Sequence, residues 1–312
     1  MKLRITLFIV LFSTMSFAQQ IALTSQYMLN EMSINPAAAG LRGNVQLGAS
    51  FRRQWAGIDQ APVTQTVWGQ GSLKYNFGIG GSIYNDVTGP TRRTGFSPTL
   101  AYKLKLNSDY VLSFGVGASF TQFYLDQNRI QTENPNDIAV LQNSNNKLIP
   151  DANAGLMLAS KKLFVGISAW HLIQSKRDLF DIQKNVVNTL DRTYYFMGGY
   201  TFELSPKLDL TPSTVVRLMG NAPFTFDMNA SLTYDKTYWG GVSYRFRDAI
   251  ALMVGARVGP VRIGYSYDIT TSALSKYNSG SHELFLGIDI LKGKDKGSWK
   301  RRNRVYSTFS NF

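Results

Sequence analysis

The chain has 312 residues, a formal charge of +13 at pH 7 and no cysteine. Without cysteine it can form no disulfide and offers no thiol chemistry, so its stability must come from a core or from the closure of a sheet. Aromatic residues make up 13% of the chain and glycine occurs 27 times, a balance that favours an all-β fold. No long uninterrupted apolar run is present, which excludes helical membrane spans.

Residues 1–18 carry the features of an export signal. Lys2 and Arg4 precede a short apolar run over 5–12, and a small-x-small cleavage site ends at Ala18. This pattern predicts a secretory signal peptide that is cut after Ala18. Export argues against nucleic acid as the partner of the positive charge, which anionic lipid head groups and a basic tail explain instead.

Residues 19–43 precede the first expected strand and contain "QYMLNEMSINPAAAG". This stretch is too apolar for a tether and alternates too poorly for a strand. If the strands that follow close into a barrel, the lumen is the nearest place that can bury Tyr27 and its apolar neighbours. The Asn35-Pro36 step should then turn the chain toward the barrel wall, and the small residues up to Gly40 allow close passage. We therefore expect residues 19–43 to form an N-terminal plug segment on the periplasmic side and in the lumen.

Period-two alternation recurs along the rest of the chain, most clearly in "YVLSFGVGASFTQF", "FTFDMNASLTYD" and "VRIGYSYDIT". Large apolar residues occupy one face of each segment, and glycine, serine, threonine and scattered charges occupy the other. Such strands lie between an apolar and a polar medium. The segments are about ten residues or longer, and aromatic residues lie near their ends. These features favour an all-β transmembrane antiparallel β-barrel over a soluble sandwich.

The alternation predicts fourteen strands within 44–291, and an even count puts both chain ends on the periplasmic side. Turns on that side are short, whereas the outer connections include loops at 57–63, 86–93, 126–150, 174–190 and 270–281. The expected strands are 44–56, 64–76, 77–86, 92–106, 109–125, 151–160, 162–173, 191–204, 207–219, 223–235, 237–246, 249–258, 260–270 and 281–291.

The chain offers little that could carry catalysis. It has only two histidines, His171 and His282, and no G-x-S-x-G motif. We therefore expect no enzyme, no metal site and no cofactor. The charges on the lumen face should form a cross-barrel ion-pair network, because their near balance does not suit an ion-selective pore. The cations expected there are Arg52, Lys74, Arg245, Arg257 and Arg262, and the anions are Asp227, Asp268, Glu283 and Asp289.

Arg53, Gln54 and Trp55 lie at the outer end of the first expected strand. We predict that they anchor an outer loop or contact a cargo protein. The alternative is that Trp55 belongs to the aromatic girdle of the membrane interface, with Arg53 beside it at the rim.

Residues 292–312 form a basic tail, with seven lysines and arginines over 292–304 against one acidic residue, Asp295. We expect this tail in the periplasm. It can bind acidic lipid, or it can bind a periplasmic partner through electrostatic attraction.

Several pieces of the chain occur together in a characteristic order. They include "QYMLNEMSINPAAAG", "FRRQWAGIDQAPVTQT", "YNDVTGPT", "PDANAGL", "FVGISAWHL", "WGGVSYRFRDAI", "IGYSYDITTSAL" and "GSHELFLG". In this order they resemble the PorP/SprF family, outer-membrane proteins of the type IX secretion and gliding apparatus of Bacteroidetes. The resemblance implies a 14-stranded barrel without catalytic residues. It also implies a role in the export or surface attachment of cargo proteins that carry a C-terminal sorting domain, together with periplasmic secretion components.

The Asn-Pro-Ala element at 35–37 is also similar to the hatch segment of the long-chain fatty-acid channel family. That family is another group of 14-stranded barrels with an N-terminal plug. This second resemblance implies the alternative function, passive uptake of a hydrophobic small molecule.

Overall fold

The computed structural model describes residues 24–126, 129, 146–175, 190–220 and 222–290. The expected signal peptide over 1–18 and the basic tail over 292–312 lie outside the described residues. So do most of the two longest expected outer loops, 126–150 and 174–190.

The described chain is built almost wholly from strands, preceded by three short 3-10 helices at Tyr27–Leu29, Glu31–Ser33 and Pro36–Ala38. Another 3-10 helix, Ala273–Lys276, lies in the last loop. In the described ranges, no helix is both long and apolar enough to cross a membrane. The strands are β1 (Val45–Arg53), β2 (Val63–Ser72), β3 (Phe77–Thr88), β4 (Thr91–Lys105), β5 (Val111–Leu125), β6 (Asn146–Ala159), β7 (Leu163–Trp170), β8 (Thr193–Tyr200), β9 (Phe202–Ser205), β10 (Leu208–Met219), β11 (Ala222–Tyr234), β12 (Tyr238–Arg245), β13 (Ala249–Val258), β14 (Val261–Thr270) and β15 (Ser281–Ile290).

Fourteen antiparallel strands close into a barrel. Each strand pairs with its neighbours in the chain, and β15 returns to β1 in a nine-residue ladder from Val45–Ile290 to Arg53–His282. The four-residue β9 is an additional strand that follows β8 after Thr201 and pairs only with the start of β10. Closure gives each of the fourteen barrel strands a partner on both sides, which is the condition for a sheet to lie in lipid. The predicted fold, a 14-stranded antiparallel barrel, is confirmed.

The two faces of the sheet differ as the alternation predicts. Outward side chains are apolar and exposed, and Val67, Val116 and Val254 have 59–60% of their surface accessible. Inward side chains of the same strands are buried, among them Arg262 and Asp268 on β14. A barrel whose outer surface is apolar and whose interior is polar fits a membrane-spanning wall.

Both chain termini of the barrel lie at one end, beside Val45 and Ile290, which we name the terminal end. The opposite end, which we name the loop end, carries the longer connections, including those over 54–62 and 271–280. One expected outer loop is wrong. The chain makes a two-residue hairpin instead of a loop over 86–93, because β3 and β4 remain paired up to Thr88–Thr91 and Gly89 adopts a positive φ of 57°.

One expected lumen residue is also misplaced. Lys74 was expected within a strand over 64–76, but β2 ends at Ser72 and Lys74 lies exposed in the turn that leads to β3. The Phe77 N–H donates to the Lys74 carbonyl in that turn. The alternation continues for a few residues into the turn, so pattern alone extended the strand too far.

Candidate functional site in the barrel lumen

Residues 24–43 run through the barrel interior from the loop end to the terminal end. The Ser25 N–H donates to Glu283 Oε2 (2.9 Å) near the loop end, and the Gly40 N–H donates to Gln70 Oε1 (3.1 Å) near the terminal end. The segment supplies nine of the 21 buried residues in the large apolar core of the described chain. Its buried apolar residues are Tyr27, Met28, Leu29, Met32, Ile34, Ala37, Ala38, Ala39 and Leu41.

Asn35 fixes the middle of this segment to the wall. Its Nδ2 donates to the backbone carbonyls of Leu156 (2.9 Å) and Ile167 (3.2 Å), on β6 and β7. Its Oδ1 accepts the Ala37 N–H at 2.9 Å and so caps the 3-10 helix that Pro36 begins. Asn35 is fully buried, and its side chain both starts the turn and binds two strands.

Glycines on the lumen face allow the segment to touch the wall. A Cβ added at Gly115 would lie 2.1 Å from the backbone nitrogen of Ala37. A Cβ added at Gly78 would lie 2.0 Å from the carbonyl oxygen of Ala39. Both atoms belong to the backbone and cannot move aside alone, so these two positions accept only glycine while the segment is docked.

Tyr27 and Ile34 bind the segment to β10 and β7, two strands that are separated by β8. The Tyr27 hydroxyl lies 2.7 Å from Ser213 Oγ, and burial raises the pKa of the Tyr27 phenol, which keeps it protonated. The Ile34 carbonyl accepts from Ser168 Oγ (2.6 Å) and from Trp170 Nε1 (2.7 Å). These hydrogen bonds join the segment to one region of the wall, around β7, β8 and β10.

Gly40 ends the segment at the terminal end. Its φ of 69° is readily adopted by glycine and lets the chain turn toward β1. Its carbonyl accepts from Ser72 Oγ (2.6 Å) and from Lys103 Nζ (2.9 Å). The predicted plug and turn residues Tyr27, Asn35, Pro36 and Gly40 thus all lie in the lumen, and each contacts the wall or the turn that reaches it.

A charged cluster holds the other end of the segment. Ser25 Oγ contacts both carboxylate oxygens of Asp268 (2.8 and 2.7 Å) and accepts from Arg52 Nη1 (3.1 Å) and Arg245 Nη2 (3.2 Å). Its backbone N–H donates to Glu283. One serine of the segment therefore sits at the centre of four wall charges.

The same wall charges pair with one another. Arg52 contacts Asp268 at 2.7 Å and Glu283 at 3.1 Å, and Arg245 contacts Asp227 at 3.2 Å and Asp268 at 3.4 Å. The five side chains come from β1, β11, β12, β14 and β15, so the structure brings together lumen charges that are distant in sequence. Removing one partner of such a buried network typically destabilises a protein by about 3–5 kcal/mol.

The remaining predicted lumen charges form a second cluster near the terminal end. Asp289 contacts Arg257 at 3.0 Å and Arg262 at 3.1 Å, and it accepts from Gln46 Nε2 at 2.9 Å. The Arg262 guanidinium also lies 5.5 Å from the centre of the Phe285 ring. The two clusters are separate, at opposite ends of the segment.

Sequence reasoning missed an ion pair inside the segment itself. Glu31 and Arg42 are both buried and form a salt bridge, and Arg42 Nη2 also donates to the Met28 carbonyl at 3.0 Å. The available signal was one acidic and one basic residue in an otherwise apolar stretch. Because the two are eleven positions apart in irregular backbone, no periodic pattern connects them.

A cavity of about 230 Å³ lies between the segment and the loop end of the barrel. Tyr27, Asn30 and Ile34 form part of its floor. Asn30 is buried, and its Oδ1 has no hydrogen-bond partner among the residues that the structure describes. The walls carry aromatic rings and hydroxyl groups, among them Tyr84, Phe123, Trp170, Tyr195, Ser82 and Thr121.

Two arginines at this cavity have polar partners in the wall. Arg93 contacts Asp86 at 2.5 Å on one wall, and Arg217 Nε donates to Thr225 Oγ1 at 3.1 Å on another. The described residues contain no group of three histidines, cysteines or acidic residues that could hold a metal ion. The lining thus combines aromatic rings, hydroxyl groups and charged side chains of both signs.

A family model described as the type IX secretion system membrane protein PorP/SprF matches residues 16–288. The chain belongs to the PorP/SprF family. The family description and the closed barrel together support an outer-membrane location. No curated protein matches the sequence.

Solved structures similar to this PorP/SprF member are other barrels. The Ralstonia pickettii toluene transporter TbuX has a TM-score of 0.48 and 10% identity, with 86% of this chain and 94% of that chain covered. The CymD monoaromatic hydrocarbon channel has a TM-score of 0.47 and 12% identity, with 86% and 92% covered. A FadL homologue of Pseudomonas aeruginosa has a TM-score of 0.45 and 11% identity, with 82% and 91% covered. At these values the likenesses carry no inference about a ligand.

The three residues predicted to anchor a loop or contact cargo do not form one cluster in this PorP/SprF barrel. Arg53 is exposed on the outer face of β1. The Trp55 N–H donates to Ser281 Oγ at 3.0 Å, and the Gln54 N–H donates to the Pro62 carbonyl at 2.9 Å. Trp55 and Gln54 thus take part in loop contacts through their backbones, whereas Arg53 points away from the lumen.

We expect Asn35→Asp to destabilise the PorP/SprF barrel by about 1–3 kcal/mol, because a carboxylate cannot donate to the Leu156 and Ile167 carbonyls. Urea unfolding in detergent, followed by tryptophan fluorescence, measures the loss. Asn76→Asp is the matched control, because Asn76 lies in an exposed turn. Equal urea midpoints for the two variants would show that the Asn35 side chain does not hold the segment in place.

Proposed function

We propose that this protein is a non-catalytic outer-membrane scaffold of type IX secretion that supports the export or surface attachment of a cargo protein. The cargo would carry a C-terminal sorting domain. Membership of the PorP/SprF family supports this class of function. In the proposed orientation the terminal end faces the periplasm and the loop end faces the outside, because short turns are typical of the periplasmic end of such barrels.

The observation that carries the proposal is the filled interior. The segment over 24–43 occupies the lumen from the Ser25 cluster to Gly40 and bonds to the wall along its length. A channel for solutes needs a continuous path, whereas a scaffold needs a rigid wall and stable surfaces. A lumen occupied by this segment favours the second role.

The cavity at the loop end is the proposed contact for cargo. Its floor is the segment and its mouth lies toward the outside in the proposed orientation. The unpartnered Asn30 Oδ1 and the wall hydroxyls suit the amide groups of a polypeptide, and the aromatic rings suit apolar side chains. The paired charges around it give no strong preference for either sign.

Periplasmic secretion components are the proposed partners at the terminal end. The turns there expose lysines, including Lys161, Lys162, Lys207 and Lys236. Together with the basic tail over 292–312, they would favour an acidic partner surface or anionic lipid. Their effect should fall as salt concentration rises.

Filling the cavity tests the cargo contact. Ser82 lines the cavity, so we expect Ser82→Trp to abolish surface display of the cargo while leaving the amount of barrel in the membrane unchanged. Ile83→Trp is the control, because Ile83 is the next residue on β3 and points to lipid. Surface labelling of cargo in cells that carry each variant in place of the native gene gives the readout. Normal display with Ser82→Trp, at normal barrel levels, would contradict the cavity as the cargo contact.

The alternative function is passive uptake of a hydrophobic small molecule, and the aromatic lining of the cavity is the observation that favours it. A deletion strain separates the two. Loss of a surface adhesin with normal uptake of a fatty acid supports the scaffold, and normal adhesins with impaired uptake support the channel.

A further inference from the structure

Arg53 and His282 form a polar pair on the outer, lipid-facing surface of the barrel near the loop end. They are direct cross-strand partners on β1 and β15, so their Cβ atoms lie about 4.5–5.5 Å apart. Arg53 is exposed. Among the described residues, no carboxylate forms an ion pair with it, which leaves its guanidinium open to a ligand from the membrane.

The His282 ring is held in place by two tyrosines. Tyr265 Oη lies 2.7 Å from His282 Nδ1, and the ring centres of Tyr267 and His282 are 5.1 Å apart. Tyr267 is itself fixed, because its hydroxyl donates to the Ser279 carbonyl at 2.7 Å. When Tyr265 donates to Nδ1, the His282 Nε2 carries the hydrogen and supplies a donor on the same face of the sheet as Arg53.

The height of this pair matches the head-group layer of a membrane. On the terminal-end side of the pair, the same strands present Phe51 and Leu284 outward, with 42% and 54% of their surface accessible. On the other side the chain passes into loops. Cations are well tolerated at this depth, where a hydrocarbon surface meets charged head groups.

A second exposed arginine, Arg92, lies along the same row of the sheet. The register runs from Arg53 to Val63, from Val63 to Val87 and from Val87 to Arg92. Three strand spacings place Arg92 about 14 Å from Arg53 across the outer surface. The described carboxylates of β14, β15 and β1–β5 face the lumen instead, and they are Asp86, Asp268, Glu283 and Asp289.

We infer that Arg53, His282 and Arg92 bind the phosphate groups of a phosphorylated glycolipid, of the lipid A type, in the outer leaflet. An exposed surface with two cations and an imidazole donor, on strands whose described carboxylates face the lumen, is complementary to phosphate oxygens. The choice of the outer leaflet rests on the proposed orientation of the barrel. In this role Arg53 contacts lipid rather than cargo.

Lipid binding to the full-length protein tests the site. The protein is placed in phosphatidylethanolamine nanodiscs with diphosphorylated lipid A, and bound lipid is counted by native mass spectrometry after release into detergent. We expect Arg53→Gln and Arg92→Gln each to weaken binding about fivefold, with a similar loss for His282→Gln. Lys162→Gln is the control, because Lys162 is an exposed cation at the terminal end. Unchanged binding in all three variants overturns the inference.

Two competitors identify the source of the phosphate. Lipid A without phosphate should fail to compete, and phosphatidylglycerol should compete at least about fivefold less well than diphosphorylated lipid A. Equal competition by phosphatidylglycerol overturns the assignment to the glycolipid. Because the chain has no cysteine, Asp59→Cys labelled on intact cells reports independently whether the loop end faces outward. Lipid binding in nanodiscs and cargo display in cells are separate readouts, so either proposal can fail alone.

Discussion

Gly115→Val should convert the closed lumen into one that conducts ions. A Cβ at position 115 would lie 2.1 Å from the Ala37 nitrogen and 2.3 Å from the Pro36 carbonyl carbon. These are backbone atoms, so the segment must leave the wall rather than rotate a side chain. Overpacking of this kind costs about 1–3 kcal/mol, and here part of the cost is relieved if the segment undocks. In planar bilayers we expect steady conductance from the variant and none from the parent protein.

Gly240→Val is the matched control for this experiment. Gly240 lies on the outer face of β12, and a Cβ there meets only the Met253 carbonyl oxygen, at 3.6 Å. The control adds the same side chain to a strand without touching the segment. A closed lumen in both variants would mean that residues 24–43 adjust without leaving. Conductance in the parent protein would contradict the scaffold proposal itself, because its interior would then offer a path for solutes.

The strands could be predicted because the residue types of each strand alternate between those suited to lipid and those suited to the lumen. β13 spans Ala249–Val258, as predicted, and β14 differs from its prediction by one residue at its start. Every second residue of these strands faces lipid, so the pattern is local and survives without knowledge of the neighbours. The turn after β2 and the β3–β4 hairpin were mispredicted, since alternation alone does not say where pairing stops.

The lumen contacts could be anticipated only by residue type. The inward direction of Arg52, Asp268 and Glu283 follows from strand periodicity, but their meeting at Ser25 depends on how β1, β14 and β15 align when the barrel closes. That alignment is set by fourteen ladders at once. The path of the N-terminal segment could not be predicted either. Its backbone is irregular, so no periodicity indicates which of its residues face which strand.

Arg52→Met should destabilise the barrel by about 3–5 kcal/mol, more than any single surface change. The methionine keeps much of the apolar stem, so the loss comes mainly from the guanidinium. Without it, Asp268 and Glu283 stay buried with fewer cationic partners, and Ser25 loses one of its donors. Urea unfolding in detergent, followed through the five tryptophans, measures the change in the free energy of unfolding.

Two further variants test whether the stability lost in Arg52→Met comes from the ion-pair network at the loop end. Lys162→Ala removes an exposed ion pair with Glu203 and should cost less than about 1 kcal/mol. Combining Arg52→Met with Glu283→Gln removes one of the uncompensated charges, so the double variant should lose less than the sum of the two single losses. If Arg52→Met costs no more than Lys162→Ala, the loop-end cluster does not hold the segment. Asn35 and the glycine contacts would then hold the segment in the lumen, and loss of those contacts alone should release the segment.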